Sequence, residues 1–516
     1  MRAERAAQRV VHPGMGGGGG GEQARDVLLE MAPVAEQVGQ QDDVGGAARD
    51  QGGEARGDVR AGELHVGAAD HVLRAQPRDA RGHVVKLGVG VTAAAAVVDQ
   101  EQTEHIGDAR GARTRANRRV RARISGSARR AEADNRGMTA YLDYNATAPL
   151  LPAARAAWLE AQELAWGNPA STHTYGQQAR HHLDQAKARI AGLLGCRAGE
   201  LVLTSGGTEA NALAIASALH GAPASAPAAI LASAIEHSSV LRNAERAGAL
   251  ALVPVDDCGR VRAERLAELL MPTTRLVCLQ FANNELGTLQ EVAELRALVR
   301  ARAPAARLLL DCCQGAGKRA LALTGLEVDF ATIAGHKFGT PKGVGLLYAR
   351  SGVAVVPQLQ GGRQQQDRRS GSEDVAATAA LAAALAHALA QAPAEDARQR
   401  ALLTACWAHI SAALPAARWL AQGAERLANT MSLAHPGAAR EVLVTRLDLA
   451  GFAVSAGAAC MARRAEPSHV IAALGLERAL AESAIRVSIG PGTTCDELDG
   501  FARAYVREVR ALTAPA

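Results

Sequence analysis

No two of the eight cysteines stand in a CxxC pair. That absence excludes a zinc knuckle, a thioredoxin-like redox motif and a disulfide framework. Scattered thiols suit a reducing cytoplasm. No uninterrupted run of about eighteen apolar residues occurs, so no membrane span is expected. The N-terminus lacks the apolar centre of a signal peptide, which argues against secretion. Net charge is only +5 over 516 residues, too little to point to nucleic acid as the main partner. What remains is an ordinary soluble composition, 48% hydrophobic and 21% charged. The chain is long enough for roughly two to four average domains.

A second absence divides the chain. Residues 1–137 contain no Phe, Trp, Tyr or Cys and a single lysine, Lys86. The six glycines from Gly16 to Gly21 follow no strand and precede no GK[ST], so they are not read as a phosphate loop. The stretch GARTRANRRVRARISGSARR, Gly111 to Arg130, carries many arginines and no acid. A nucleic-acid or targeting arm is one reading of it, and a solvated disordered segment is another. The reading adopted is a start assigned too far upstream, because every aromatic and every cysteine lies after Met138. Weak helical character over Gln23–Val38 and weak strand character over His83–Val91 complete this region.

From Met138 onward the pattern becomes regular. LVLTS, AAILAS, ALVPVD, LVCLQF, RLLLD, FATIAG and GVGLLYA read as strands. Amphipathic segments at Ala153–Leu164, Gln177–Leu194, Glu209–Leu219, Val240–Ala247 and Leu289–Arg302 read as helices between several of them. This alternation predicts an α/β fold with a mostly parallel sheet covered on both faces. In such sheets the chemistry gathers beyond the carboxyl ends of the strands.

The residues at those ends are unusual as a set. LVLTS is followed by Gly206-Gly207-Thr208 opening a helix, where free N–H groups and the helix dipole make a phosphate site. AAILAS leads to Glu236-His237, and LVCLQF to Asn283-Asn284. RLLL ends on Asp311, an acid that needs a partner if buried, followed by Cys312, Cys313 and Gln314. FATIA runs into Gly335-His336-Lys337, a lysine enclosed by glycines. A phosphate, a protonated ring nitrogen, a ring face and an aldehyde would use all of them, and pyridoxal 5'-phosphate carries all four. Far downstream, VSAGAACMARR places Cys460 among tiny residues. Buried structural thiols have bulky neighbours, so this one reads as sitting on a mobile loop. Arg463 and Arg464 either favour its thiolate or are solvated loop arginines.

These motifs resemble the cysteine desulfurases (NifS/IscS-like) of the class V aminotransferase-like group of pyridoxal phosphate enzymes. The resemblance covers about Tyr141 to Leu512. It rests on YLDYNATAP (Tyr141–Pro149), GNPAS (Gly167–Ser171), TSGGTE (Thr204–Glu209), Glu236-His237, NNELG (Asn283–Gly287), DCCQ (Asp311–Gln314), GHK (Gly335–Lys337), RSGS (Arg369–Ser372), SAGAAC (Ser455–Cys460), EPSH (Glu466–His469) and SAIR (Ser483–Arg486). It implies fold type I: a large α/β/α domain over residues 152–395 with a seven-stranded sheet, and a small α+β domain over 396–516 that takes in residues 138–151. It also implies roles. Lys337 carries the cofactor and moves the α-proton. Asp311 pairs with the ring nitrogen, and His237 stacks on the ring. Gln314 and Asn284 lie near the ring hydroxyl. Gly207, Thr208 and His336 hold the phosphate, and Ser372 reaches it from a second subunit. Asn168 and Arg486 take the substrate carboxylate, and Cys460 is the nucleophile that leaves L-cysteine as alanine and passes sulfur to an acceptor protein. A homodimer without a metal is implied. The runner-up is another enzyme of the same fold, an aminotransferase or a selenocysteine lyase.

The chain departs from the family in places. Ala334 stands where a serine is common, which removes one hydroxyl near the phosphate. SAGAAC replaces SSGSAC. Cys312 and Cys313 replace Ala-Thr, and both are read as packed structural residues. The short C-terminus lacks the tail with which housekeeping iron–sulfur enzymes dock their scaffold.

Overall fold

A computed structural model describes residues 140–221, 229–457 and 467–514. Residues 1–137, with the weak helix and strand expected there, lie outside the described residues, as do Cys460, Arg463 and Arg464.

All seven strand-like segments form one sheet. The strands are β2 (Leu201–Thr204), β3 (Ala229–Ser233), β4 (Ala249–Val253), β5 (Thr274–Gln280), β6 (Arg307–Asp311), β7 (Phe330–Ala334) and β8 (Gly345–Ala349), after a short β1 (Ala140–Tyr141). Their order is β2-β8-β7-β6-β5-β3-β4. β8 runs antiparallel to both neighbours, and the other pairs are parallel. The strand interiors are apolar on both faces because both faces are covered, as parallel sheets require. Side chains alternate between two cores: Val277, Leu279, Leu308 and Leu310 enter one, and Leu276, Cys278 and Leu309 the other.

Helices α1 (Pro152–Leu164), α2 (Thr174–Leu194), α3 (Gly207–Ala218), α4 (Ser238–Ala247), α5 (Ala263–Leu269) and α6 (Val292–Arg302) connect and cover the sheet. α3 and α4 cover one face through Leu213, Ala214, Val240 and Ala244. α2 and α6 cover the other through Ile190, Leu194, Leu295 and Val299. α6 starts three residues later than expected because Leu289 is still bridged to Ala282 and its N–H is bonded to Glu425.

α7 (Val375–Ala413) has 39 residues and is about 58 Å long at 1.5 Å per residue. It is apolar enough over eighteen residues to cross a membrane by composition, yet half of that stretch is buried in the protein. Its first half, with Leu381 and Leu385, packs in the sheet's core. Its second half, with Leu403, Cys406 and Ile410, packs in a separate core. That core also holds an antiparallel sheet of β9 (Arg418–Leu420), β10 (Thr430–Ala434) and β12 (Ile485–Ser488), in the order β12-β10-β9. α8 (Arg440–Leu449) and α9 (Cys495–Thr513) cover it. β1 pairs in parallel with β11 (Phe452–Ala453), and Ala140 and Leu142 are buried there.

The amino end of β7 is held by charge. Asp329 is fully buried and binds Arg300 (2.7 Å), Arg307 (3.2 Å), Arg350 (2.6 Å) and the Leu308 N–H (2.9 Å). Burial opposes ionisation, but these partners win and hold its carboxyl below the usual aspartate range. The stability it adds is complete above the unfolded value, about 4, and is lost as pH falls through the lower folded value. Asp329→Ala is expected to cost about 3 kcal/mol in urea unfolding at pH 7. The deficit should shrink as pH falls below the usual aspartate range and through the lowered folded value, where the wild type loses the same contribution.

Candidate active site

The carboxyl ends of β3, β5, β6 and β7 open into one cavity of about 280 Å³. Lys337, His237, Asp311, Gln314, Asn284, His336, Gly207, Thr208 and Arg486 all line it. His237, Asn284, Asp311 and Lys337 meet because the adjacent parallel strands β3, β5, β6 and β7 end together, and Arg486 enters from β12 of the smaller sheet.

Asp311 is the last residue of β6 and is buried. Its Oδ1 accepts the Cys313 N–H at 2.9 Å, and its Oδ2 accepts from Asn211 Nδ2 at 2.9 Å. Asn211 also donates to Ser239 Oγ (3.0 Å), and its Oδ1 accepts from Thr332 Oγ1 (2.8 Å). Ser239 Oγ in turn lies 2.7 Å from His237 Nδ1. His237 caps α4, and its Nδ1 accepts the Ser239 N–H at 3.1 Å. Nδ1 is therefore an acceptor, and the ring proton belongs on Nε2. Burial lowers the His237 pKa, with Asp311 opposing, so the ring is neutral. Asn211, Ser239 and Thr332 were not picked out from sequence. One signal was available: an asparagine on the buried side of an alanine-rich helix must find partners.

Lys337 follows β7, and its Nζ donates to the carbonyls of Asn145 (2.7 Å) and Ala146 (3.0 Å). Burial lowers its pKa, and the Arg486 charge adds to that. Asn145 is a junction: its carbonyl also accepts from Gln314 Nε2 (3.0 Å), and its Nδ2 donates to Thr430 Oγ1 (2.8 Å) and the Asn284 carbonyl (3.1 Å). The two adjacent amides divide their work. Asn283 Oδ1 holds the turn through the N–H groups of Glu285 and Leu286, and Asn284 lines the cavity.

α3 begins at Gly207 with no side-chain cap. Its first N–H groups are free at the cavity wall, the arrangement that binds anions. A Cβ built on Gly207 would lie 2.5 Å from Cys313 Sγ and 3.5 Å from Ala334 Cβ, so the close approach requires glycine. Glu209 in the first turn is neutralised by Arg369 at 2.8 and 3.2 Å. His336, bonded through Nδ1 to Thr147 Oγ1 at 3.2 Å, is pushed down to about 4 by burial and by Lys337 and Lys342. Neutral at pH 7, it is an N–H donor for an anion.

Cys312 is a core residue, as expected, but Cys313 is not. It forms cavity wall beside Gly207, because the chain leaving β6 turns its next side chain to the opposite side. Burial and Asp311 push its thiol well above the usual cysteine range, so it stays protonated. Ala334 also lines the cavity. Ala334→Ser is expected to tighten pyridoxal phosphate binding about threefold in an equilibrium titration, by adding one hydroxyl donor to the phosphate end.

Arg486, in β12, is buried. It contacts Asp143 at 2.5 Å and the Asn284 carbonyl at 3.1 Å, while its Nε has no partner among the described residues. An orphaned buried guanidinium N–H at a cavity wall fits a carboxylate ligand. Asn168 is exposed and caps its own turn through the Ala170 N–H (2.9 Å). It does not line this cavity, and Ser372 borders a separate one of about 160 Å³. Cys460 lies outside the described residues, but Ser455, five positions before it, is bridged to Arg486 (3.1 and 2.7 Å).

These residues fit pyridoxal phosphate: an uncapped helix end and a neutral histidine for the phosphate, a networked carboxylate for the ring nitrogen, a neutral imidazole for the ring and a buried amine for the aldehyde.

The class-V aminotransferase family model matches residues 140–501. A cysteine desulfurase of Cereibacter sphaeroides is 38% identical over 382 residues, covering 72% of this chain and 97% of the relative. The solved structure of a NifS-like protein superposes with a TM-score of 0.67 at 29% identity, over 73% of this chain and 100% of that one. That of SspA in complex with cysteine has a TM-score of 0.61 at 25% identity, over 69% and 100%.

Proposed function

Since the chain belongs to the class-V aminotransferase family and is a cysteine desulfurase, we propose that its cavity binds pyridoxal 5'-phosphate and that Lys337, Asp311, His237, Arg486 and Cys460 convert L-cysteine to L-alanine. The observation that carries this reading is the convergence of the first four on one cavity, with the segment bearing Cys460 rooted beside Arg486. Bound there, the cofactor supplies an electrophilic carbon for an amine and an electron sink for the bond that breaks next to it.

The chain's own residues supply the rest. The N–H groups of Gly207 and Thr208, with His336, hold the phosphate. Asp311, fixed by the Cys313 N–H and Asn211 Nδ2, would pair with the protonated ring nitrogen. His237 would cover one face of the ring, and Gln314 and Asn284 would hold its hydroxyl. Arg486 anchors the substrate carboxylate through its unpartnered Nε. Lys337, whose charged form is disfavoured by burial, takes the α-proton and returns it. Cys460 then attacks the substrate Sγ as thiolate. The Cβ–Sγ bond breaks with its electron pair going to carbon, which takes a proton to become the alanine methyl. The sulfur stays on Cys460 as a persulfide. The persulfide is then passed to an acceptor protein.

The same proposal includes a homodimer, a reducing cytoplasm that keeps the thiol free, and a division into domains near residue 396. It is supported by the change of core along α7, by an apolar cavity of about 600 Å³ lined by Pro149, Leu151, Phe338 and Ile489 next to Lys337, and by the position of Ser372 away from its own chain's cavity. Light scattering at micromolar concentration tests the dimer, and a monomer would refute it. The function is tested by supplying L-cysteine and a thiol reductant: alanine and sulfide should appear in equal amounts. Amino transfer to a keto acid without sulfide would overturn it.

A further inference from the structure

Lys318 is a second partly buried lysine near the cavity, and sequence reasoning did not single it out. Its Nζ lies 2.7 Å from Gln314 Oε1 and 2.9 Å from Asn145 Oδ1, and no ion pair of Lys318 occurs among the described residues. Lysines placed so deep are ordinarily matched with a carboxylate, so two amide oxygens in its place call for an explanation.

We propose that Lys318 is a positioning residue that fixes the side-chain amide of Gln314, so that the amide nitrogen is presented to the cofactor site. An ammonium has donors and no acceptor. It therefore compels Gln314 to turn Oε1 toward it, away from the active-site cavity. Nε2 must then take the other branch, where it donates to the Asn145 carbonyl at 3.0 Å. Gln314 and Asn145 line the active-site cavity, whereas Lys318 lines the neighbouring apolar one. A flipped amide would set its NH₂ against the ammonium and its oxygen against a carbonyl, two repulsions in place of two hydrogen bonds. The grip extends to Lys337. Asn145 Oδ1 is held by Lys318 and by Asn429 Nδ2 (2.9 Å), while the carbonyl of the same residue holds Lys337 Nζ (2.7 Å). Asn145 is held by Thr430 Oγ1 (2.8 Å) as well, so Lys318 acts on the cofactor site chiefly through Gln314, and it touches neither substrate nor cofactor. Burial, with the charges of Lys337 and Arg486 beside it, pushes its pKa down to about 7, so the ammonium that orders the amide is present below that pH and is lost above it.

This inference rests on the reading of Gln314 as a cofactor contact, and a double-mutant cycle separates the two. Full-length K318M, K318R, Q314A and K318M/Q314A proteins are titrated with pyridoxal 5'-phosphate, recording the dissociation constant and the absorption maximum of the bound form. K318M and Q314A should each bind about tenfold more weakly, the loss of one charge-assisted or cofactor hydrogen bond. K318M should shift the absorption maximum, and K318R should restore it. The double variant should bind within about threefold of Q314A, because Lys318 acts through that amide. Independent losses that multiply to about a hundredfold, or wild-type binding by K318M beside a weakened Q314A, overturn the inference alone. Wild-type binding by Q314A overturns the reading of Gln314 and the inference with it.

Discussion

Lys337→Ala is expected to yield a folded protein without the visible band of lysine-bound pyridoxal phosphate, and its alanine production from L-cysteine should fall by about 10³- to 10⁴-fold. Two functions vanish together, the covalent anchor and the proton carrier. The fold should survive, because among the described residues Nζ is tied only to the carbonyls of Asn145 and Ala146, which water can solvate in its absence. Lys318 cannot substitute, since Gln314 and Asn145 hold it and it borders the other cavity. Absorption spectroscopy and amino-acid analysis check the result. A band and a rate close to wild type would place the anchor elsewhere.

Cys460→Ser separates the halves of the reaction. The visible band and the affinity for pyridoxal phosphate should stay within about twofold of wild type, because the groups that fit the cofactor belong to other segments. Sulfide release should fall by at least about 10³-fold. A serine hydroxyl stays protonated at neutral pH, whereas a cysteine supplies some thiolate that Arg463 and Arg464 would stabilise. Equal sulfide from both proteins would remove Cys460 from the mechanism.

Much of this site was legible because strong local signals mark it. Apolar runs such as RLLLD and FATIA end abruptly on Asp311 and on Gly335-His336-Lys337, and a parallel sheet brings such ends together. Gly207 was legible as a glycine opening a helix, and the structure adds the reason, the thiol of Cys313 where a Cβ would go. The supporting groups were not legible. Thr332 and Ser239 are single polar residues without a motif, and their partner Asn211 lies 100 positions from Asp311. Lys318 looked like any surface lysine until the fold set it beside two amide oxygens. The roles of Asn283 and Asn284 could not be told apart, because only the turn decides which amide caps it. Cys313 was read with Cys312 as a packed structural thiol, but that it packs as cavity wall against Gly207 was not legible, because its direction depends on how the chain leaves β6.

The most direct test of the account is the mass of the peptide containing Cys460 after the wild-type holoenzyme meets one equivalent of L-cysteine without reductant. The account predicts one added sulfur atom on Cys460, discharged by thiol, with one alanine formed per modified subunit. Alanine formed while this peptide keeps its original mass, with the sulfur found on another residue or released directly, would contradict it.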